Sequence, residues 1–226
     1  MKTVDELRFK IIDMNKTILA IETSSSICSV SLFKNGENIG ILENDTDRKH
    51  AEVLPSYVVS LLDNNQLKIK NIDAIAVSIG PGSFTGLRVG LSFAKGLAYA
   101  IKCPIIPVPT ILAMAYSLRF KKPLNGIIRS HGEKIFFQEF IWDKKVPSVK
   151  DKPVLGNIHN YLDKVIGGFH FNCEEFLINA GNIYSAKPSA KDIAKLANIF
   201  FQKWHVPKPY GLTSEYMYPY VIKPND

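Results

Sequence analysis

The segment Gly80-Pro81-Gly82-Ser83-Phe84-Thr85-Gly86 constrains the fold of this chain more than any other stretch of its sequence. It follows residues 73–79, whose apolar run between polar flanks predicts a parallel strand that is covered on both faces. It precedes residues 87–101, an apolar stretch that predicts about four turns of helix. Because its glycines and proline disfavour a regular helix, the segment itself predicts a tight turn. Strand, turn and helix together indicate an α/β protein.

The N-terminal part of the chain predicts an antiparallel meander followed by a helix. Residues 17–23 and 28–33 are rich in β-branched and apolar types, and residues 37–42 return as a third strand. Lys34-Asn35-Gly36 between the last two strands is a hairpin signal. Apolar residues recur every three or four positions over 51–62, which predicts an amphipathic helix.

The rest of the chain has weaker patterns. Residues 104–108 predict a short strand, 110–117 a helix that starts after a proline, and 126–141 a hairpin. Residues 190–204 carry apolar positions at helical spacing after Ser189, which predicts a C-terminal helix.

A chain of 226 residues is long enough for two small lobes, each with its own core. We divide it into an N-terminal extension at 1–16, a first lobe at 17–108 and a second, reduced lobe at 109–226. The glycine turn and the predicted interface helices belong to the first lobe, and the C-terminal helix and an aromatic tail belong to the second.

The formal charge of +7 favours a polyanionic partner, although such an excess is also common on ordinary cytosolic surfaces. The cysteines at 28, 103 and 173 are far apart in or beside apolar runs, which indicates small buried side chains. No apolar run is long enough to span a membrane, and the N-terminus lacks the pattern of a signal peptide. These features predict a cytoplasmic protein without a membrane segment.

The glycine turn allows two interpretations. Backbone amides of a glycine-rich turn at a helix N-terminus can bind phosphate, and the candidates for this role are Gly80, Gly82, Ser83, Thr85 and Gly86. The spacing matches neither a Walker A loop nor a dinucleotide-binding motif. In the alternative, the glycines only supply the backbone angles of a tight turn.

The helix after the turn also has two interpretations. Gly86, Gly90, Ala94 and Ala98 form a stripe of small residues that would let another helix approach closely, with larger apolar residues on both sides. A helix that is apolar nearly all round predicts a face covered by another subunit. In the alternative, the helix is buried between the chain's own sheet and its first helix.

Residues typical of catalysis are sparse. No two of the five histidines are spaced three or four residues apart, which argues against a dedicated metal site. Ser83 and Thr85 do not form a nucleophile elbow. His50 and Glu52 stand at the start of the first helix, where capping or interface roles are commoner than general base catalysis.

Three segments resemble one family in their order and spacing: Ile18-Leu-Ala-Ile-Glu-Thr-Ser-Ser, Arg48-Lys-His50-Ala-Glu52-Val-Leu54-Pro55 and residues 80–90. They are similar to the TsaB (YeaZ) family of tRNA threonylcarbamoyladenosine biosynthesis proteins. The resemblance is strong over residues 17–117 and weak beyond. It implies two related actin-like lobes of the ribonuclease-H-like (ASKHA) type, with mixed sheets flanked by helices and a degenerate second lobe.

The resemblance also implies a function. Members of this family form N6-threonylcarbamoyladenosine at position 37 of tRNA together with the catalytic paralogue TsaD and the ATPase TsaE. This chain would be the non-catalytic scaffold that pairs with TsaD and reaches tRNA through the complex, and it would form a homodimer in isolation. It would need no cofactor of its own, with ATP or ADP bound at an interface of the complex. The implied partner interface consists of His50, Leu54, Tyr57, Val58, Leu61, Leu87, Arg88, Gly90, Leu91, Ala94, Lys95 and Ala98.

Two departures from related sequences bear on activity. The catalytic paralogue carries a metal-binding His-x-x-x-His pair where this chain has Thr110 and Met114, so the resemblance implies a pseudo-enzyme without a metal. Family members open the second lobe with Asp-x-Arg-x-x-Glu, of which residues 128–133 keep only Glu133. The alternative function is a small-molecule kinase or ATPase of the same superfold, for which Glu22 is the nearest candidate carboxylate.

Overall fold

The computed structural model describes residues 16–46, 49–178 and 181–213 of the chain. Most of the predicted extension, Arg48 of the second motif and the tail after residue 213 lie outside the described residues. Within them, no helix is long and apolar enough to cross a membrane.

Eleven strands and five α-helices occur in the described residues. The strands are β1 Thr17–Glu22, β2 Ile27–Lys34, β3 Glu37–Asp45, β4 Ala74–Ser78, β5 Ile105–Val108, β6 Asn125–His131, β7 Lys134–Asp143, β8 Val146–Val149, β9 Val154–Asn157, β10 Phe169–Phe171 and β11 Tyr184–Ser185. The helices are α1 His50–Asn64, α2 Phe84–Ile101, α3 Thr110–Ser117, α4 Ala190–Ile199 and α5 Phe201–Trp204. The predicted C-terminal helix is therefore interrupted at Phe200.

The first sheet has the strand order β3-β2-β1-β4-β5. Its β1, β2 and β3 form the predicted antiparallel meander, whereas β4 and β5 continue the sheet in parallel with β1. All five residues of β4 are buried, as predicted for a strand covered on both faces. Helices α1 and α2 pack on one face of this sheet with a shared apolar core.

The second sheet repeats this arrangement. Its main path is β8-β7-β6-β10-β11, with two antiparallel pairings followed by two parallel ones, and β9 also pairs with β7. The segments between β9 and β11 contain short 3₁₀ turns where the first lobe has the long helices α1 and α2. The predicted fold class, two related mixed sheets flanked by helices with a reduced second lobe, is confirmed.

The sequence assigned the C-terminal helix α4 to the second lobe, but in the structure it also packs on the first sheet. Apolar residues of α4 join a core with those of β1, β4 and β5 of the first sheet, which also includes α3 and Phe169 of the second sheet. The start of α4 is fixed to β2, because the amide of Ala190 donates to the Ser29 hydroxyl at 3.0 Å. Lys187 reinforces this join through an ion pair of 2.8 Å with Glu43 of β3. Helix α4 is thus shared between the lobes, and the boundary at residue 108 stays a prediction.

The packing of α2 on β1 predicts opposite effects for two alanine substitutions on the same helix. A Cβ at Gly90 would overlap the Thr23 hydroxyl, whereas a Cβ at Gly96 has no atom within 4 Å. We expect Gly90→Ala to lower the free energy of unfolding by about 1–3 kcal/mol, and Gly96→Ala to raise it by about 0.5–1 kcal/mol. Urea unfolding of the two variants measures this. Equal effects at both sites would contradict the close approach of α2 to β1.

Candidate functional site

The glycine turn joins β4 to α2 directly above the end of β1. A Cβ at Gly82 would overlap Ser24, and a Cβ at Gly86 would overlap the Thr23 carbonyl. These two glycines are therefore required because the backbones lie close together. Among the glycines of this turn, only Gly80 has a positive φ, which is 109°. Helix α2 begins at Phe84, so the last three residues of the turn are already helical.

Hydrogen bonds fix the turn to the end of β1. The amide of Ser83 donates to the Ser24 carbonyl at 2.6 Å, and the Thr23 hydroxyl donates to the Gly86 carbonyl at 2.8 Å. The Ser83 hydroxyl caps the helix by accepting from the Gly86 amide at 3.2 Å. Three of the predicted phosphate-turn residues thus hold the scaffold together, and their role towards a phosphate stays a prediction.

A cleft of about 750 Å³ lies between the two lobes at this point. The first lobe contributes residues 24–26, 50–51 and 82–86 to it, and the second lobe contributes residues 128–131 and 171–172. Gly80 does not line the cleft, because it is buried and its carbonyl accepts from the Thr110 amide at 2.8 Å. The N-terminal ends of α1 and α2 both face the cleft, and their dipoles favour an anion there.

His50, the first residue of α1, supplies the least satisfied polar group of this cleft. Its side chain is 5% exposed, and Nε2 is buried without a hydrogen-bond partner among the described residues. An unpaired buried ring nitrogen is costly unless a ligand or water completes it. His50 is therefore suited to contact a polar group in the cleft rather than to pack against a partner.

Glu22 ends β1 beneath the same turn and is fully buried. Its Oε1 accepts a hydrogen bond from the Ser24 amide, while Oε2 has no partner among the described residues. Burial raises the pKa of Glu22 to about 7, and the hydrogen bonds from Ser24 offset only part of that rise. Glu22 is not among the residues that line the cleft, and its carboxyl instead holds the turn after β1 through the Ser24 amide.

Nine of the twelve predicted interface residues are buried within the chain: His50, Leu54, Val58, Leu61, Leu87, Gly90, Leu91, Ala94 and Ala98. The prediction that the stripe of small residues is a docking surface is wrong. Gly86 and Gly90 face Thr23, and Ala94 and Ala98 belong to the core between the first sheet and its helices. Small side chains are needed there because α2 packs directly on β1.

A different face of the same helices remains open. The residues Ala51, Leu54, Arg88, Val89, Ser92 and Phe93 line a groove of about 410 Å³ between α1 and α2. Arg88 and Ser92 are exposed, Val89 and Phe93 are half-buried, and the Arg88 guanidinium lies 3.6 Å from the centre of the Phe84 ring. Of the other predicted interface residues, Tyr57 and Lys95 are half-buried.

The second lobe contributes residues of the segment 128–133, which the sequence marked only as a departure from the family pattern. Arg129 and Ser130 line the cleft at the end of β6, opposite the serines that follow β1. Arg129 pairs with Glu175 at 2.8 Å and donates to the Gly132 carbonyl at 3.0 Å. Glu133 instead accepts from the side-chain amide of Asn157 at 3.0 Å, which ties the β6–β7 turn to the end of β9. The family pattern located this segment in the sequence, but only the packing of the two sheets shows that it lines the cleft.

Comparisons with known proteins agree with this architecture. The family model of TsaD, tRNA N6-adenosine threonylcarbamoyltransferase, matches residues 23–135. The TsaB protein of Haemophilus influenzae is 35% identical over 133 residues, which are 58% of this chain and 56% of that protein. The TsaB protein of Buchnera aphidicola is 30% identical over 164 residues, or 68% of this chain and 71% of that protein. The chain thus spans little more than half the length of the first relative.

A solved structure shows the same fold. YeaZ from Pseudomonas aeruginosa superposes with a TM-score of 0.75 at 21% identity, covering 88% of this chain and 98% of that one. The likeness extends through both sheets, beyond the region in which the sequences are most similar.

The environment of Glu22 predicts a pH-dependent stability. Because the folded-state pKa is about 7 against an ordinary 4.5, the unfolded carboxyl ionises first as pH rises. We expect the wild-type chain to lose about 3 kcal/mol relative to Glu22→Gln between roughly pH 4.5 and 7, with little further change above. Urea unfolding of both proteins across this range measures the difference. Parallel pH profiles would contradict the assignment.

Proposed function

Because the chain belongs to the TsaB (YeaZ) family of tRNA threonylcarbamoyladenosine biosynthesis proteins, in the actin-like superfamily, we propose that it is the non-catalytic scaffold of the modifying complex. It pairs with the transferase TsaD, TsaE joins the assembly, and tRNA reaches the chain through the complex. It acts in the cytoplasm. The main support is the open groove between α1 and α2, which presents apolar surface beside an unpartnered helix face.

The residues at the position of the metal pair support a non-catalytic role. Thr110 and Met114 stand four residues apart on α3 and are each 1% exposed. Met114 is part of the apolar core between the lobes, and a threonine with a methionine is a poor ligand pair for a metal that imidazoles bind. Met114 therefore serves packing in this chain, whereas Thr110 keeps a buried hydroxyl without a partner among the described residues.

The groove supports pairing through α1 and α2 even though the small-residue stripe faces inward. It is lined by the apolar side chains of Leu54, Val89 and Phe93, with Arg88 and Ser92 as exposed polar residues beside them. An apolar centre with a polar rim is the usual anatomy of a protein interface. The same surface would join two copies of this chain when TsaD is absent.

One substitution at the rim tests the pairing. Ser92→Arg would fill the groove from an exposed helical position without disturbing the core. We expect it to weaken association with TsaD by about 100-fold or more, because the long charged side chain would occupy the apolar groove that the partner must enter. Co-purification and a binding titration with TsaD measure this.

Ser148→Arg is the matched control, since Ser148 is exposed on β8 of the second sheet, far from α1 and α2 in the fold. It should leave TsaD binding unchanged. If Ser92→Arg and Ser148→Arg bind TsaD equally well, the groove is not the interface.

The inter-lobe cleft supports a second role in binding ATP or ADP at an interface of the complex. Two helix N-termini and the unpaired His50 ring face it, and these groups suit a phosphate. We expect Thr85→Glu, which places a carboxylate at the exposed start of α2, to abolish ADP binding measured by calorimetry in the presence of TsaD. ADP affinity equal to that of the wild type would exclude the cleft as the nucleotide site.

A further inference from the structure

A basic surface lies beside the second sheet and has no part in the groove or the cleft. We define it by Arg119, Phe120, Lys121, Lys122, Lys144 and Lys145. The first four residues follow the end of α3, and the two lysines form the turn between β7 and β8. The Lys145 ammonium lies 4.5 Å from the centre of the Phe120 ring, so the fold brings the two segments together.

The positive charges of the basic surface are not neutralised by nearby acids. Among the described residues, none of its five cations forms an ion pair, whereas Lys150, Lys187 and Arg129 elsewhere do. Asp143 is the acid next to the turn, and the buried Asp192 lies near Arg119. Four exposed lysines and a half-buried arginine therefore present a continuous positive field.

An exposed aromatic ring stands in the middle of these charges. Phe120 is 70% exposed, and the guanidinium of Arg119 lies 5.0 Å from its ring centre. Lys121 similarly approaches the Tyr184 ring, at 5.8 Å. Interleaved cations and exposed rings are typical of surfaces that bind RNA, where bases stack on rings and cations follow the phosphates.

Two lysines of the basic surface have an unusual backbone conformation. Lys122 and Lys144 both have φ of 53°, a left-handed conformation in which glycine and asparagine are favoured over lysine. Asparagine would suit the backbone at both positions better than lysine, so these two charges can be removed without straining the turns. The dipole at the end of α3 accounts for basic residues after that helix, but not for Lys144 and Lys145.

We propose that the basic surface binds the phosphate backbone of tRNA, with Phe120 stacking on an unpaired base. This inference rests on the proposed function only for the identity of the RNA as tRNA. The surface contacts tRNA directly while the groove between α1 and α2 holds the transferase. An acidic protein is the other polyanion that could bind here, but it would not need the exposed Phe120.

The left-handed lysines allow a test that separates binding from folding. The double variant Lys122→Asn with Lys144→Asn removes two charges and suits the backbone better than the wild type. Lys102→Asn is the matched control, because Lys102 has φ of 56° at the end of α2 in the first lobe. The measurement is fluorescence anisotropy of labelled tRNA with the full chain, alone and with TsaD, at about 50 to 200 mM salt.

We expect the double variant to bind tRNA about tenfold more weakly, with a salt dependence reduced by about two counterions. Phe120→Ala should weaken binding by about fivefold or more with an unchanged salt dependence. Lys102→Asn should bind as the wild type does, and all variants should keep wild-type thermal stability or exceed it.

The proposal would be overturned if the wild-type chain bound no tRNA either alone or with TsaD. Equal tRNA affinity for the double variant and for Lys102→Asn would also overturn it. Loss of TsaD association by the double variant with tRNA affinity intact would also overturn it and assign the surface to a protein. If TsaD does not bind the wild-type chain but tRNA binding still falls in the double variant, the pairing proposal fails and this one stands.

Discussion

The contact between α2 and the end of β1 determines the arrangement of this molecule. Gly82, Gly86 and Gly90 remove the side chains that would separate the helix from Thr23 and Ser24. Hydrogen bonds from Thr23 and Ser83 then fix the two backbones to each other. Because α2 cannot shift relative to the sheet, its N-terminus faces the inter-lobe cleft and its outer side forms the groove with α1. Both candidate sites are consequences of one backbone contact.

Apolar residues of α3 and α4 pack between the two lobes. Met114 belongs to the core between the lobes, and α4 crosses from the second lobe to pack on the first sheet. These contacts join the lobes into one core, whereas an enzyme of two lobes often needs them to move about a bound substrate.

Unpaired polar atoms at the ends of the parallel strands lower the stability of this fold. Glu22 and Ser78 are the last residues of β1 and β4, Thr110 begins α3 just after β5, and each has a buried atom without a partner among the described residues. Buried, unpaired polar atoms reduce stability, so a scaffold would be more stable with apolar residues there. The ends of parallel strands are where α/β proteins bind ligands, and these three residues keep that edge polar.

The sequence by itself determined the elements and the fold class. Strand period, hairpin signals and the glycine turn specified β1 to β5 and the three helices that follow them, because local patterns reflect which faces are buried. It could not decide which partner buries the stripe from Gly86 to Ala98: a helix and a sheet both require small residues at a close approach. Nor could it reveal that Phe120 and Lys145 meet, since 24 residues of sequence separate them and only the pairing of β6 with β7 and β8 joins them. Tertiary structure decided both, because contacts between distant segments depend on how the sheets and helices pack together and leave no periodic signal in the chain.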